Sequence, residues 1–141
     1  MDDSTSGGRR GATAILVVEA NAIVRAMLRR ALERRDHHVL LATNAESALA
    51  LFEHSEEPIG LVISEQQLAG MSGSRLADEL RRRDPTIPIL LVSSGFEGQP
   101  GDYPELDKPF TLEALEQRIA EVLAVASEDR PRSGVRVDPW L

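Results

Sequence analysis

The chain has 141 residues, a formal net charge of −7, no cysteine and 4% aromatic residues. That length supports one domain of ordinary size, and the acidic balance argues against nucleic-acid binding through a basic surface. The lack of cysteine excludes a disulfide framework and thiolate metal or redox sites. No apolar run approaches bilayer length and residues 1–11 are too polar for a signal peptide, so no membrane association is expected and the cytoplasm is the default.

In chain order, residues 1–12 read as a flexible leader rich in Gly, Ser and Asp. Ala14 to Val18 is an apolar run of strand length. Asn21 is placed to cap a helix whose Val24, Met27, Leu28, Ala31 and Leu32 repeat at helical spacing. His38 to Ala42 reads as a short strand, and Asn44 caps a helix with Ala45, Ala48, Leu49 and Phe52 on one face. Pro58 precedes a central strand, Ile59 to Ser64. Ser72 opens a helix carrying Leu76, Ala77 and Leu80, which stops at Asp84 because the residue before Pro85 is pushed out of the helical region. Ile87 to Val92 is the fourth strand. Gly95 to Tyr103 has no helical period and reads as a loop. A short strand at Glu105 to Asp107 follows, and Thr111 caps a last helix with Leu115, Ile119, Val122 and Leu123 inward. From Ser127 the pattern dissolves into charges with Pro131 and Pro139. The organisation expected is a leader (1–12), one domain (13–126) and a disordered tail (127–141).

Strands alternating with helices imply a parallel sheet with right-handed crossovers. Five strands with helices on both faces suit the flavodoxin-like doubly wound order 2-1-3-4-5, with the fourth helix short or missing. In such sheets the ligand site lies just outside the C-terminal strand ends. Those ends carry Glu19, Glu65, Ser93 and Lys108, two carboxylates with a hydroxyl and an ammonium. Lys108 is the only lysine beside fifteen arginines. A compact, mobile cation next to a phosphate or carboxylate is work for Lys rather than for the planar fork of Arg. The bland alternative is a lysine retained by chance on a solvated surface. The clusters Arg29-Arg30, Arg34-Arg35 and Arg81-Arg82-Arg83 read as helix-end cations that favour the helix dipole on a solvated face. His37 and His38 lack a second ligand pair, so no metal site is assigned.

Three motifs then carry a resemblance. Leu68-Ala69-Gly70-Met71-Ser72-Gly73 follows the third strand, Ser93 ends the fourth, and Lys108-Pro109-Phe110 follows the fifth. Together they resemble the receiver domain of two-component response regulators, over roughly Ala14 to Ala124. The family's loop reads Met-Pro-Gly-Met-Ser-Gly, with Ala69 here in place of the proline. The resemblance implies that Ser93 occupies the position of a Thr or Ser that bonds the phosphoryl group. It also implies a cis bond before Pro109, a rare feature that the surrounding fold stabilises. In the family an Asp at the position of Glu65 accepts a phosphoryl group. Two adjacent acids at the positions of Glu19 and Ala20 help to hold Mg²⁺.

The departures from that pattern set the functional expectation. Ala20 deletes one magnesium ligand, and Asn21 lacks the charge to replace it, so Mg²⁺ binding is expected to be weak or absent and no cofactor is assigned. Glu19 and Glu65 each carry an extra methylene, which moves a carboxylate outward by about 1.5 Å. Positioning is most of phosphoryl-transfer catalysis, so phosphotransfer is expected to be absent or vestigial. Lys108 is then free to pair with Glu65, with Ser93 donating a hydrogen bond, in imitation of an activated receiver. Plain degeneration of the site is the other reading of Glu65. The aromatic that usually lies three positions before the lysine is Glu105 here, and Tyr103 either substitutes for it or packs the loop.

The sequence thus reads as a pseudo-receiver, not an enzyme, that meets a signalling protein such as a histidine kinase or a downstream regulator. The alternative is a working phosphoacceptor taking phosphate from a histidine kinase. A nucleotide or flavin binder on this fold is disfavoured, because Glu19-Ala20-Asn21 contains no glycine for a phosphate loop.

Overall fold

Strands β1 (Ala14–Val18), β2 (His38–Ala42), β3 (Ile59–Glu65), β4 (Ile89–Ser93) and β5 (Glu105–Asp107) alternate with helices α1 (Ala22–Glu33), α2 (Ala45–His54), α3 (Gly73–Arg83) and α4 (Leu112–Asp129). The structure, a computed structural model, describes residues 13–94 and 101–129. All strands are parallel, in the order β2-β1-β3-β4-β5. This is the expected doubly wound sheet. Among the described residues no helix lies between β4 and β5; residues 95–100, most of the stretch read as a loop, lie outside them, as do the leader 1–12 and residues 130–141.

The helices start where side chains accept the orphan N–H groups of the first turn. Asn21 accepts from Ile23 and Val24, Asn44 from Ser47, Ser72 from Arg75, and Thr111 from Ala114. Strand alternation divides the core in two. Ile15, Val17, Leu61, Ile63, Leu90 and Val92 pack under α1 and α4 with Leu28, Leu32, Leu115 and Ile119. Leu16, Val18, Val62, Ile89 and Leu91 pack under α2 and α3 with Ala48, Leu76 and Leu80.

Several boundaries and faces differ from the sequence expectation. β4 begins at Ile89 rather than Ile87, because Pro88 follows; Ile87 is buried all the same. α4 continues to Asp129, past the boundary read at residue 126. Met27 and Leu123, read as inward, are 58% and 37% exposed. Each lies at the margin of its helix's apolar stripe, and only a neighbour's position decides whether a marginal residue is covered.

Candidate functional site

The C-terminal ends of β1, β3, β4 and β5 lie side by side, and three of the four residues singled out there form one charged cluster. Lys108 Nζ donates to Glu65 Oε1 at 2.5 Å and lies 3.6 Å from Glu19 Oε1. Lys108 is held in register by its own N–H, which donates to Ser93 O at 2.7 Å. The Lys108–Pro109 peptide bond is cis.

Glu19 is buried, at 3% exposure, and its Oε2 accepts the Asn21 N–H at 3.0 Å. Burial pushes its carboxyl above the usual carboxylate range. The Asn21 N–H works against that rise, the hydrogen bond and charge of Glu65 add to it, and Lys108 opposes it. For Lys108, burial disfavours the charge, yet the Glu65 hydrogen bond and the charges of Glu19 and Glu65 outweigh it and raise the pKa. The ammonium is therefore firmly protonated, shared by two carboxylates of unequal solvation.

Ser93 is fully buried, and its hydroxyl donates to Asp107 Oδ1 at 3.4 Å. The sequence reading aimed that hydroxyl at Glu65; the parallel register instead sets Ser93 beside Asp107. The loop after β3 is tied down by Gln66, whose Oε1 accepts Ser74 N–H at 2.8 Å while its carbonyl accepts Gly73 N–H at 2.8 Å. Gly73 is needed there: a Cβ would meet the Glu65 carbonyl oxygen at 2.4 Å. Gly70, at φ +82°, makes the left-handed turn of the same loop.

Arg25 is a participant that sequence reasoning missed. Its Nη1 donates to the carbonyls of Glu19 at 2.8 Å and Ala20 at 3.1 Å, clamping the loop between β1 and α1. A cation in a helix's opening turn, where the dipole favours acids, was the signal available. Tyr103 does not reach the cluster. Its hydroxyl donates to Asp78 Oδ1 at 2.6 Å and its ring lies 5.5 Å beneath the Arg81 guanidinium, so it fastens the entry to β5 onto α3. Burial, with the Asp78 carboxylate adding to it, pushes the phenol up to about 12. Arg81 is thus half-buried rather than solvated, whereas Arg82 and Arg83 stay on the surface. His38 pairs with Glu57 at 2.5 Å.

The donor set fits Mg²⁺ badly. That ion requires near-octahedral oxygen ligands. Glu19 and Glu65 already face one ammonium, Ala20 has no side-chain oxygen, and the carbonyls of Glu19 and Ala20 are engaged by Arg25. Among the described residues no group of three or more His, Asp or Glu side chains could hold a metal, and no helix is long and apolar enough to cross a membrane.

Comparison with known proteins bears on this geometry. Residues 15–120 match the family of the response regulator receiver domain. A probable transcriptional regulatory protein of Picosynechococcus sp. is 34% identical over 77% of this chain and 48% of its own length. The sensor kinase CckA of Brucella abortus is 32% identical over 80% of this chain and 13% of its own. Thus the chain spans about half or less of the length of these curated relatives. Among solved structures, the receiver domain of NtrX from Brucella abortus superposes with a TM-score of 0.70 at 28% identity, over 78% of this chain and 98% of that one.

Proposed function

The chain belongs to the response regulator receiver family of two-component signalling, and we propose that it works there as a pseudo-receiver, an interaction module that needs no phosphorylation. One observation carries the reading: the side chain at the phosphoacceptor position, Glu65, is already paired with Lys108 at 2.5 Å. The longer glutamate puts a carboxylate oxygen against the ammonium that the family uses to hold a phosphoryl group. In this reading the Glu65 carboxylate stands in for the phosphoryl group beside Lys108, a contact supplied by the sequence itself. A carboxylate supplies about one negative charge where a phosphoryl group supplies nearly two, so the imitation is electrostatically partial.

The surface beside the site suits a protein partner, such as a histidine kinase or a downstream regulator. Ile23, at 73% exposure, Met27 and Leu112 form an exposed apolar patch on α1 and the start of α4. Between these helices lies a groove of about 170 Å³ lined by Met27, Leu28, Ala31, Phe110 and Leu115. Apolar side chains grouped in this way on a charged domain mark a contact surface.

The reading is tested by incubating the protein with acetyl phosphate and Mg²⁺ and weighing the intact chain. No phosphoryl adduct is expected. A stoichiometric adduct mapped to Glu65 overturns the reading and makes the chain a working phosphoacceptor.

A further inference from the structure

The apolar patch beside the site is part of a larger face whose charges are sorted by sign. Among the described residues, every exposed large apolar side chain lies on α1 or α4. Ile23, Met27, Arg30 and Arg34 follow one another at helical spacing and form a single stripe along α1. On α4, Leu123 stands about three turns beyond Leu112 on the same line of the helix. Met27, Arg34 and Leu112 line the groove between the two helices, so the α1 stripe and this line of α4 flank one seam. Ile23, Met27, Leu112 and Leu123 therefore share a face, while Val125 lies on the other side of α4, near Pro104.

The α1 side of the seam is basic. Arg30 and Arg34 are exposed, and neither guanidinium has a partner among the described residues. The α4 side is acidic. Glu113 is exposed and unpaired among the described residues, and Glu116 lies 3.4 Å from Arg35. Helix dipoles account for the sign at each end, with Glu113 in the first turn of α4 and Arg30 in the last turn of α1. They do not account for unpaired charges of opposite sign on the two borders of one uncovered apolar seam. The bridge from Arg35 to Glu116 also sets the end of α1 and the start of α4 at the same height.

α1 and α4 cover the same face of the sheet and run in the same direction, since each returns from the C-terminal end of a parallel strand. We propose that this face pairs with a second copy of the chain, α1 of each copy against α4 of the other, about a two-fold axis parallel to the helices. That axis leaves heights unchanged, so Arg30 and Arg34 of one copy meet Glu113 and Glu116 of the other. The apolar side chains of both copies then close the seam from water. A two-fold axis across the helices would set arginine against arginine, and like charge disfavours it. A foreign partner needs one sign of charge on its target; a face that carries both, one on each border, is complementary to itself.

The proposal rests on the α1 patch being a contact surface and not on the state of Glu65. A chain that stays monomeric refutes the dimer, whereas a phosphoryl adduct refutes the pseudo-receiver. The test is sedimentation equilibrium of the full chain at physiological salt. A seam of two helices is a small interface, so association is expected within a range of about 5 to about 500 µM. The average mass is expected to rise from 15.4 kDa toward twice that value. Arg30→Glu and Glu113→Arg are each expected to weaken association roughly tenfold, and the double variant to recover most of it, because the swap rebuilds the contact. Both positions are exposed, so the melting temperature is expected to stay near that of the unaltered chain. Should either variant unfold, Ile23→Glu, at a position 73% exposed, is expected to abolish association in the folded protein. A monomer mass across the whole range overturns the proposal and leaves the face to a different protein. Association that survives Arg30→Glu and Ile23→Glu overturns it too, and so does a double variant with no recovery.

Discussion

Two clusters in this protein have the same chemistry, one cation between two glutamates, and they differ in burial. At the strand ends Lys108 lies 2.5 Å from Glu65 and 3.6 Å from Glu19. On the surface, Arg83 lies 2.6 Å from Glu53 and 3.2 Å from Glu79, bridging α2 and α3. The carboxylates respond in opposite directions. Glu53 is lowered by its hydrogen bond to Arg83, with the charge of Arg83 adding to that, whereas Glu19 is raised because burial outweighs its partners. Pairing alone does not set the state of an acid; desolvation decides which effect wins.

The largest expected effect comes from deleting the cation of the buried cluster. Lys108→Met leaves two carboxylates facing each other out of water and is expected to cost about 3 kcal/mol, the low end for a buried pair because the lysine is partly exposed. Urea denaturation at neutral pH reads this, and a cycle with Glu65→Gln is expected to return part of the loss, with a coupling of roughly 1–3 kcal/mol. Simple additivity would mean that the two residues do not interact, and the imitation of a phosphorylated site would reduce to plain degeneration.

A smaller effect is the pH dependence carried by Glu19. Its folded-state pKa lies above the ordinary value of 4.5, so the folded protein holds this proton more tightly than the unfolded chain does. The associated stability is present below 4.5 and is lost as pH rises through the shifted value. Glu19→Gln is expected to remove that decline, seen as a flatter profile of stability against pH just above the ordinary carboxylate range. An unchanged profile would show that burial does not control this carboxylate. The smallest effect belongs to the surface cluster. Arg83→Ala is expected to leave the unfolding midpoint unchanged within measurement at physiological salt, since exposed pairs are screened. A clear loss there would remove the contrast between the clusters.

Much of the architecture is legible in the residues themselves because it is set locally. Asn21, Asn44, Ser72 and Thr111 each accept N–H groups within three residues, so helix starts follow from short-range chemistry. Unbroken apolar runs at Ala14 to Val18 and at Ile89 to Val92 can be buried on both faces only in a sheet covered by helices. The order of strands follows from that alternation, and with it the meeting of Glu19, Glu65 and Lys108 far apart in the chain.

The remainder depends on neighbours that no local pattern names. Helical period gives Met27 a side of its helix but does not say whether another element covers it, and it is exposed. Ser93 turns to Asp107 because the register of β5 sets them side by side. Arg25 finds the carbonyls of Glu19 and Ala20 only because the turn before α1 brings them within reach. The sequence by itself determined which groups are present, where its helices and strands begin, and the fold that unites them. Only the tertiary structure decided which charges lose their water and which side chains meet, because both depend on distances between segments remote in the chain.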